Sequence, residues 1–251
     1  VRRLAAVLAA ALAAAGCGGG ASGGEGELVV SAASSLTSAF TAYGDTFAGG
    51  VRFSFAGSDE LAAQIRQGVA PDVYAAASAS LPRALHAEGL VEAPVVFAAN
   101  RLVIATPATG GRVHSLADLA RPGVTIAVGS ESVPVGAYTR ELLGRLEPAQ
   151  ERAILANVRS NEPDVKGIVG KLSQGAVDAG FVYLTDVRAA SKQLAATLLP
   201  DRLAPQVAYA IAVVVGAPHP RRARRFVAGL LHGDGVRALR TAGFELPPGS
   251  R

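Results

Sequence analysis

The sequence predicts an α/β protein of two lobes, each a parallel-type sheet flanked by helices, with a ligand cleft between them. Three observations predict it: strand-like and helix-like segments alternate from Leu28 onward, a second alternating unit opens near Arg101, and a late apolar run, AIAVVVGAP, leads back toward the first unit.

In chain order, Leu28 to Val30 reads as a short buried strand, and Leu36, Phe40, Tyr43 and Phe47 recur at helical spacing. Val51, Phe53 and Phe55 alternate as a strand; Leu61 and Ile65 give the next helix its apolar stripe, with Gly68 placed to stop it. Asp72 to Ala77 is a third strand and Leu81 to Ala87 a helix. In the second unit Leu102 to Ala105 and Val124 to Val128 are strands, Gly136 to Leu146 and Val165 to Leu172 are helices, and Gly180 to Tyr183 is a strand. Beyond the apolar run, helices are expected around Arg221 to Leu231 and Gly235 to Ala242. We therefore expect lobe 1 to comprise residues 28–99 plus 209–251 and lobe 2 residues 100–208, the chain crossing between them near Ala98 to Leu102 and near Val207 to Ala210.

The 251 residues are 50% apolar, enough for a substantial core. Residues 1–17 have the pattern of a leader: Arg2 and Arg3 precede LAAVLAAALAAA, which is too short to span a bilayer, and Gly16-Cys17 follows. Cys17 is the only cysteine, so no internal disulfide is possible. The segment resembles the lipobox of bacterial lipoproteins, with Ala14 where leucine is usual. The resemblance implies a signal peptide, a lipidated Cys17 and a location outside the cytoplasmic membrane. Residues 18–27 then read as a flexible glycine-rich tether. Without the two leader arginines the chain carries 22 basic and 20 acidic side chains, a near balance that gives no electrostatic case for nucleic acid. The Arg221, Arg222, Arg224 and Arg225 group reads as the solvated face of a late helix.

Chemistry is concentrated at strand-to-helix junctions. In LVVSAASSLTSAF and FSFAGSDELAAQIRQG, Ser35 and Ser58 stand where a strand ends and a helix opens. A helix start leaves about four N–H groups without intrahelical acceptors and attracts anions. In open parallel sheets, ligands sit beyond the carboxyl ends of the strands. Val133-Pro134-Val135-Gly136 and Pro163-Asp164-Val165 form two more such starts, so four of them face one expected crevice. On the residues alone Ser35 and Ser58 read first as N-caps, a role compatible with ligand binding. Val135 and Val165 read as apolar helix-start residues, Tyr183 as core, and Asp164 as a helix-start stabiliser.

AASSLTSAF, FAGSDELAAQIRQG with PDVYAAAS, GSESVPVGAYTRELL and NEPDVKGIVGKLSQGAVDAGFVYLTD occur in order across residues 28 to 245. Together they resemble the periplasmic molybdate-binding proteins, the substrate-binding components of molybdate ABC importers. The resemblance implies a type II periplasmic-binding-protein fold closing like a hinge on molybdate or tungstate, with Ser35, Ser58, Val135, Val165 and Tyr183 holding the oxyanion. They would reach the metal only through its oxygens, Val135 and Val165 acting by backbone N–H. It further implies no cofactor, no catalysis, a monomeric state, and permease and ATPase subunits as partners. The chain departs from the pattern at Val135, Gly57 and Ala210, where alanine, serine and proline respectively are common. The competing readings are a binding protein for another oxyanion such as sulfate, a serine-dependent hydrolase and a cytoplasmic regulator. No G-x-S-x-G elbow surrounds Ser35, Ser58 or Ser130, and His86, His114, His219 and His232 lie in separate segments without metal spacing or an obvious catalytic partner.

Overall fold

The computed structural model describes residues 26–247; the expected leader, Cys17 and most of the tether lie outside them. The chain opens with strand β1 (Leu28–Ala33), a 3₁₀ turn at Ser34–Leu36 and helix α1 (Thr37–Gly44). There follow β2 (Val51–Ala56), α2 (Ser58–Arg66), β3 (Val73–Ala76), α3 (Ser80–Ala87) and β4 (Val95–Asn100). After Arg101 alone, β5 (Leu102–Pro107) begins, then β6 (Ile126–Gly129), α4 (Pro134–Leu143), α5 (Pro148–Ala156) and β7 (Val158–Glu162). Next come α6 (Val165–Ser173), β8 (Ala179–Tyr183), α7 (Leu184–Ala189) and β9 (Leu194–Leu198). The chain closes with β10 (Val207–Val213), α8 (Pro220–Leu231) and α9 (Asp234–Thr241).

Two five-stranded sheets result, ordered β2-β1-β3-β10-β4 and β7-β6-β8-β5-β9. Both are mixed, where the alternation predicted parallel pairing. In the first, β1 runs parallel to β2 and β3, but β10 is antiparallel to β3 and β4. In the second, β6 is parallel to β7 and β8, but β5 is antiparallel to β8 and β9. The exceptions belong to strands that link the sheets. β5 enters the second sheet almost directly from β4 and β10 returns to the first, so β5 and β10 run in from the inter-lobe side and oppose the βαβ strands.

Aromatic packing ties α8 to α1 and, through Phe53 of β2 at 6.3 Å from Phe226, to the first sheet. Phe226 of α8 lies 5.9 Å from Phe40 and 4.7 Å from Tyr43, ring centre to ring centre, and the Tyr43 hydroxyl donates to its carbonyl at 2.9 Å. The arginine group on this helix corrects the expectation of a uniformly solvated face. Arg221, Arg224 and Arg225 are exposed, but Arg222 is only 2% exposed. It shares a face with Phe226 and Leu230, and its guanidinium donates to the carbonyls of Gly26, Ala48 and Gly50. A helical repeat of about 3.6 residues puts positions four apart on one face, so the stripe that buries Phe226 buries Arg222 too. His219 likewise has an acidic partner that its place in the sequence did not reveal. Its Nδ1 is 3.1 Å from Asp72 Oδ2, and Asp72 also accepts the backbone N–H groups of Val29 and His219. This buried carboxylate stands just before β3, and the strand's opposite end carries the cavity described next. None of the helices among the described residues is long and apolar enough to cross a membrane.

Candidate functional site

Ser35, Ser58, Val135, Val165 and Tyr183 meet around one cavity of about 20 Å³, also lined by Ser34, Gly57, Ala77, Val133, Pro134 and Asp164 among others. A single water needs roughly 10–15 Å³, so the space between the two lobes is small and suits a compact ligand. Ser35 lies in the turn that ends β1, Ser58 opens α2, Val135 and Val165 stand in the first turns of α4 and α6, and Tyr183 ends β8. Both sheets thus contribute residues from the carboxyl ends of their strands.

Neither serine caps its helix, contrary to expectation. The N-caps are Gly57 for α2, Ala33 for the 3₁₀ turn and Leu36 for α1, none with a side-chain cap bond. The serines lie inside the helical turns, so their hydroxyls are not placed to fold back on the first free N–H groups; long-range partners engage them instead. Ser58 Oγ accepts the Ala77 N–H at 3.1 Å, which leaves the hydroxyl proton for the cavity. The Tyr74 hydroxyl donates to the Ser58 carbonyl at 2.6 Å and fixes the turn from below. Ser35 Oγ lies 2.9 Å from the Tyr209 hydroxyl, and either atom can be the donor. Asp164 does cap α6, its Oδ1 accepting the Gly167 N–H at 3.0 Å.

On the second-lobe wall, Val135 and Val165 are 2% and 4% exposed. Their side chains are core, whereas their N–H groups belong to the first helical turn, which has no acceptor within its own helix. Gly136 makes this wall possible, because a Cβ there would stand 1.9 Å from the Ser130 carbonyl oxygen. Gly57 performs a similar service between the lobes: a Cβ on it would come within 2.7 Å of the Pro163 carbonyl. A serine at this position therefore has no room in the arrangement seen here.

Tyr183 is 1% exposed, and its hydroxyl has no hydrogen-bond partner among the described residues. Burial, with the neighbouring Tyr209, Tyr138 and Asp186, holds its pKa well above the ordinary phenol value, so it stays a neutral donor. Its ring meets Tyr209 edge-on at 5.8 Å. The cavity lining includes neither lysine nor arginine, and its one carboxylate, Asp164, is turned onto its own helix. Sequence reasoning missed Tyr209, the residue that holds Ser35. Its signal was a lone hydroxyl in the otherwise apolar return strand, VAYAIAV.

Two α/β lobes closing a donor-lined cavity at the carboxyl ends of their strands define a type II periplasmic binding protein. The chain belongs to the bacterial extracellular solute-binding protein family, whose profile matches residues 28–245. It is 38% identical over 227 residues to the molybdate-binding protein ModA of Mycobacterium tuberculosis, covering 88% of this chain and 85% of that one. The periplasmic molybdate-binding protein of Azotobacter vinelandii shares the fold with a TM-score of 0.78 at 20% identity, covering 88% of this chain and all of that one. The sulfate-binding protein SubI of M. tuberculosis does so equally, with a TM-score of 0.78 at 15% identity, covering 89% of this chain and 88% of that one. The fold alone therefore does not choose the ligand.

Proposed function

We propose that this protein captures molybdate outside the cytoplasmic membrane and delivers it to the permease and ATPase subunits of an ABC importer. The observation that carries the reading is the cavity between the lobes, built from hydroxyls and helix-start N–H groups without a cation. Similarity to the mycobacterial molybdate-binding protein supports the choice of anion. Ser35, Ser58 and Tyr183 donate through hydroxyls, and Val135 and Val165 through backbone N–H groups. Molybdate is met only through its oxygens, no cofactor takes part, and no reaction follows.

A proton-free tetrahedral dianion suits such a cavity because it offers acceptors alone. Hydrogen bonds to a charged acceptor contribute roughly 1.5–3 kcal/mol each, and a helix start adds up to about 2 kcal/mol in a partly buried site. Five donors, less the cost of ordering two lobes, support micromolar to nanomolar affinity. Hydrogen phosphate carries a proton that would find no acceptor, a mismatch of about 1–3 kcal/mol. Sulfate differs from molybdate in size alone, and tungstate matches it in charge and size, so tungstate binds comparably.

Lipidation of Cys17, followed by the tether over residues 18–27, would hold the binding domain at the membrane as a monomer. Lobe 1 is assigned residues 28–99 plus 209–251 and lobe 2 residues 100–208. A thermal-shift series with molybdate, tungstate, sulfate and phosphate tests the ligand, since one that binds only the folded chain raises its melting temperature. Molybdate and tungstate should each produce a clear rise; a rise with sulfate alone, or with none of the four, would refute the assignment.

A further inference from the structure

On one side of the cavity the two sheets bring facing chain segments together. β2 is an edge strand of the first sheet and runs through Phe55, Ala56 and Gly57 into Ser58. Opposite stand Pro163, Asp164, Val165 and Lys166, where β7, an edge strand of the second sheet, gives way to α6. Gly57 meets Pro163 so closely that a Cβ would come within 2.7 Å of the Pro163 carbonyl oxygen, and Ser58 and Val165 both line the cavity. Phe55 and Lys166 complete the seam, with Lys166 Nζ over the Phe55 ring at 5.4 Å from its centre. An ammonium within about 6 Å of a ring centre is attracted by the negative face of the π-system. The ring is held for this contact from its own sheet: Phe55 stacks on Phe53 at 5.2 Å, and Phe53 in turn packs against Phe40 and Phe226.

We infer that Lys166 and Phe55 form a latch across the cleft, positioning residues that slow release of the bound anion by holding its two walls together without touching it. The inference rests on the reading of the cavity as an oxyanion site. Lys166 is exposed and is not among the residues lining that cavity; it borders a larger space of about 420 Å³ beside it, together with Ser34, Ser35 and Asp186. It is therefore not one of the anion's donors. Its neighbour Val165 is a donor through the backbone, and Phe55 stands three residues before the donor Ser58. Bringing Val165 and Ser58 onto one anion thus brings the ammonium over the ring, and separating the two segments breaks both contacts. Such a pair lengthens the stay of the anion and leaves its arrival unchanged, because capture precedes the contact.

The test measures molybdate affinity by calorimetry and its release by chasing radiolabelled molybdate with unlabelled molybdate, in the wild-type protein, Phe55→Leu, Lys166→Met, their double variant and Lys166→Arg. Phe55→Leu removes the π-face and keeps the charge, and it should speed release and weaken binding alike by about two- to fivefold. In the Lys166→Met background the same substitution should change release less than about 1.5-fold, because two residues acting as a unit do not add. Lys166→Arg keeps a cation for the ring and should stay within about twofold of the wild type. Unchanged release in Phe55→Leu, or losses that add in the double variant, would overturn the latch while leaving the cavity assignment intact. So would a Lys166→Met loss confined to the rate of capture, the mark of long-range attraction alone. Absence of molybdate binding by the wild-type protein would overturn the cavity assignment, and the latch with it. Should Phe55→Leu not fold, the two Lys166 variants decide: methionine should release the anion about two- to fivefold faster than arginine does, and equal rates in the two would refute the latch.

Discussion

Ser58 Oγ accepts the Ala77 N–H and keeps its proton for the cavity, so Ser58→Ala removes two interactions at once. Molybdate affinity should fall at least tenfold in calorimetry, and stability by about 1–3 kcal/mol in urea denaturation, because a buried N–H is left unpaired. Ser35 is half-buried and its hydroxyl pairs with the Tyr209 hydroxyl and not with a backbone N–H, so Ser35→Ala should show the loss of affinity with a smaller loss of stability. A pH effect belongs to Asp186, whose Oδ2 accepts the Tyr183 N–H at 3.0 Å. Burial pushes this carboxyl up to about 7, with nearby Asp164 adding to the shift and the Tyr183 N–H and Lys166 opposing it. A carboxyl raised on folding contributes stability that is fully present below the ordinary carboxylate range and is lost as pH rises through about 7. Asp186→Asn keeps an acceptor for Tyr183 and carries no charge. Denaturation midpoints should therefore gain more from this substitution at pH 8 than at pH 5.

Helix α8 shows what an element adds to its residues. Read as charge alone, RRARR is a solvated face; read at helical spacing, Arg222 aligns with Phe226 and Leu230 and is buried among backbone carbonyls. Arg222→Met keeps the stem and strands those carbonyls, so it should cost about 2–3 kcal/mol, whereas Arg221→Ala should stay within about 0.5 kcal/mol, both by urea denaturation. The same distinction explains which elements were legible in the sequence. Strands buried on both faces, such as β3 and β8, and helices with a clear apolar stripe, such as α2 and α6, stand out because burial imposes a pattern. β7 and β9 were missed because as sheet edges they keep exposed residues, and α5 because it buries only Ile154. Strand direction was not legible, since an apolar run carries no mark of parallel or antiparallel pairing. For the cavity, the strand-to-helix junctions were visible as local chemistry, and the resemblance put Val135, Val165 and Tyr183 opposite them. Tyr209 was not visible, because its 2.9 Å contact with Ser35 joins residues 174 positions apart.

At the scale of the molecule, two mixed sheets meet where β4 runs into β5 and β10 returns, and the cavity lies between helix starts drawn from both. An anion held there as proposed would bond to both lobes at once and so couple binding to closure, the cost of ordering set against the donors gained. Because those donors are neutral, affinity should change little with ionic strength, unlike that of a site built on arginines. Ser35 and Ser58 are proposed to form one wall of a charge-free oxyanion site. Calorimetric titration of molybdate into the wild-type protein and into the Ser35→Ala, Ser58→Ala double variant tests it most directly. The wild type should bind one molybdate per chain at nearly the same affinity in low and high salt, and the double variant should bind at least a hundredfold more weakly; no binding by the wild type, or equal affinity in the two proteins, would refute the site.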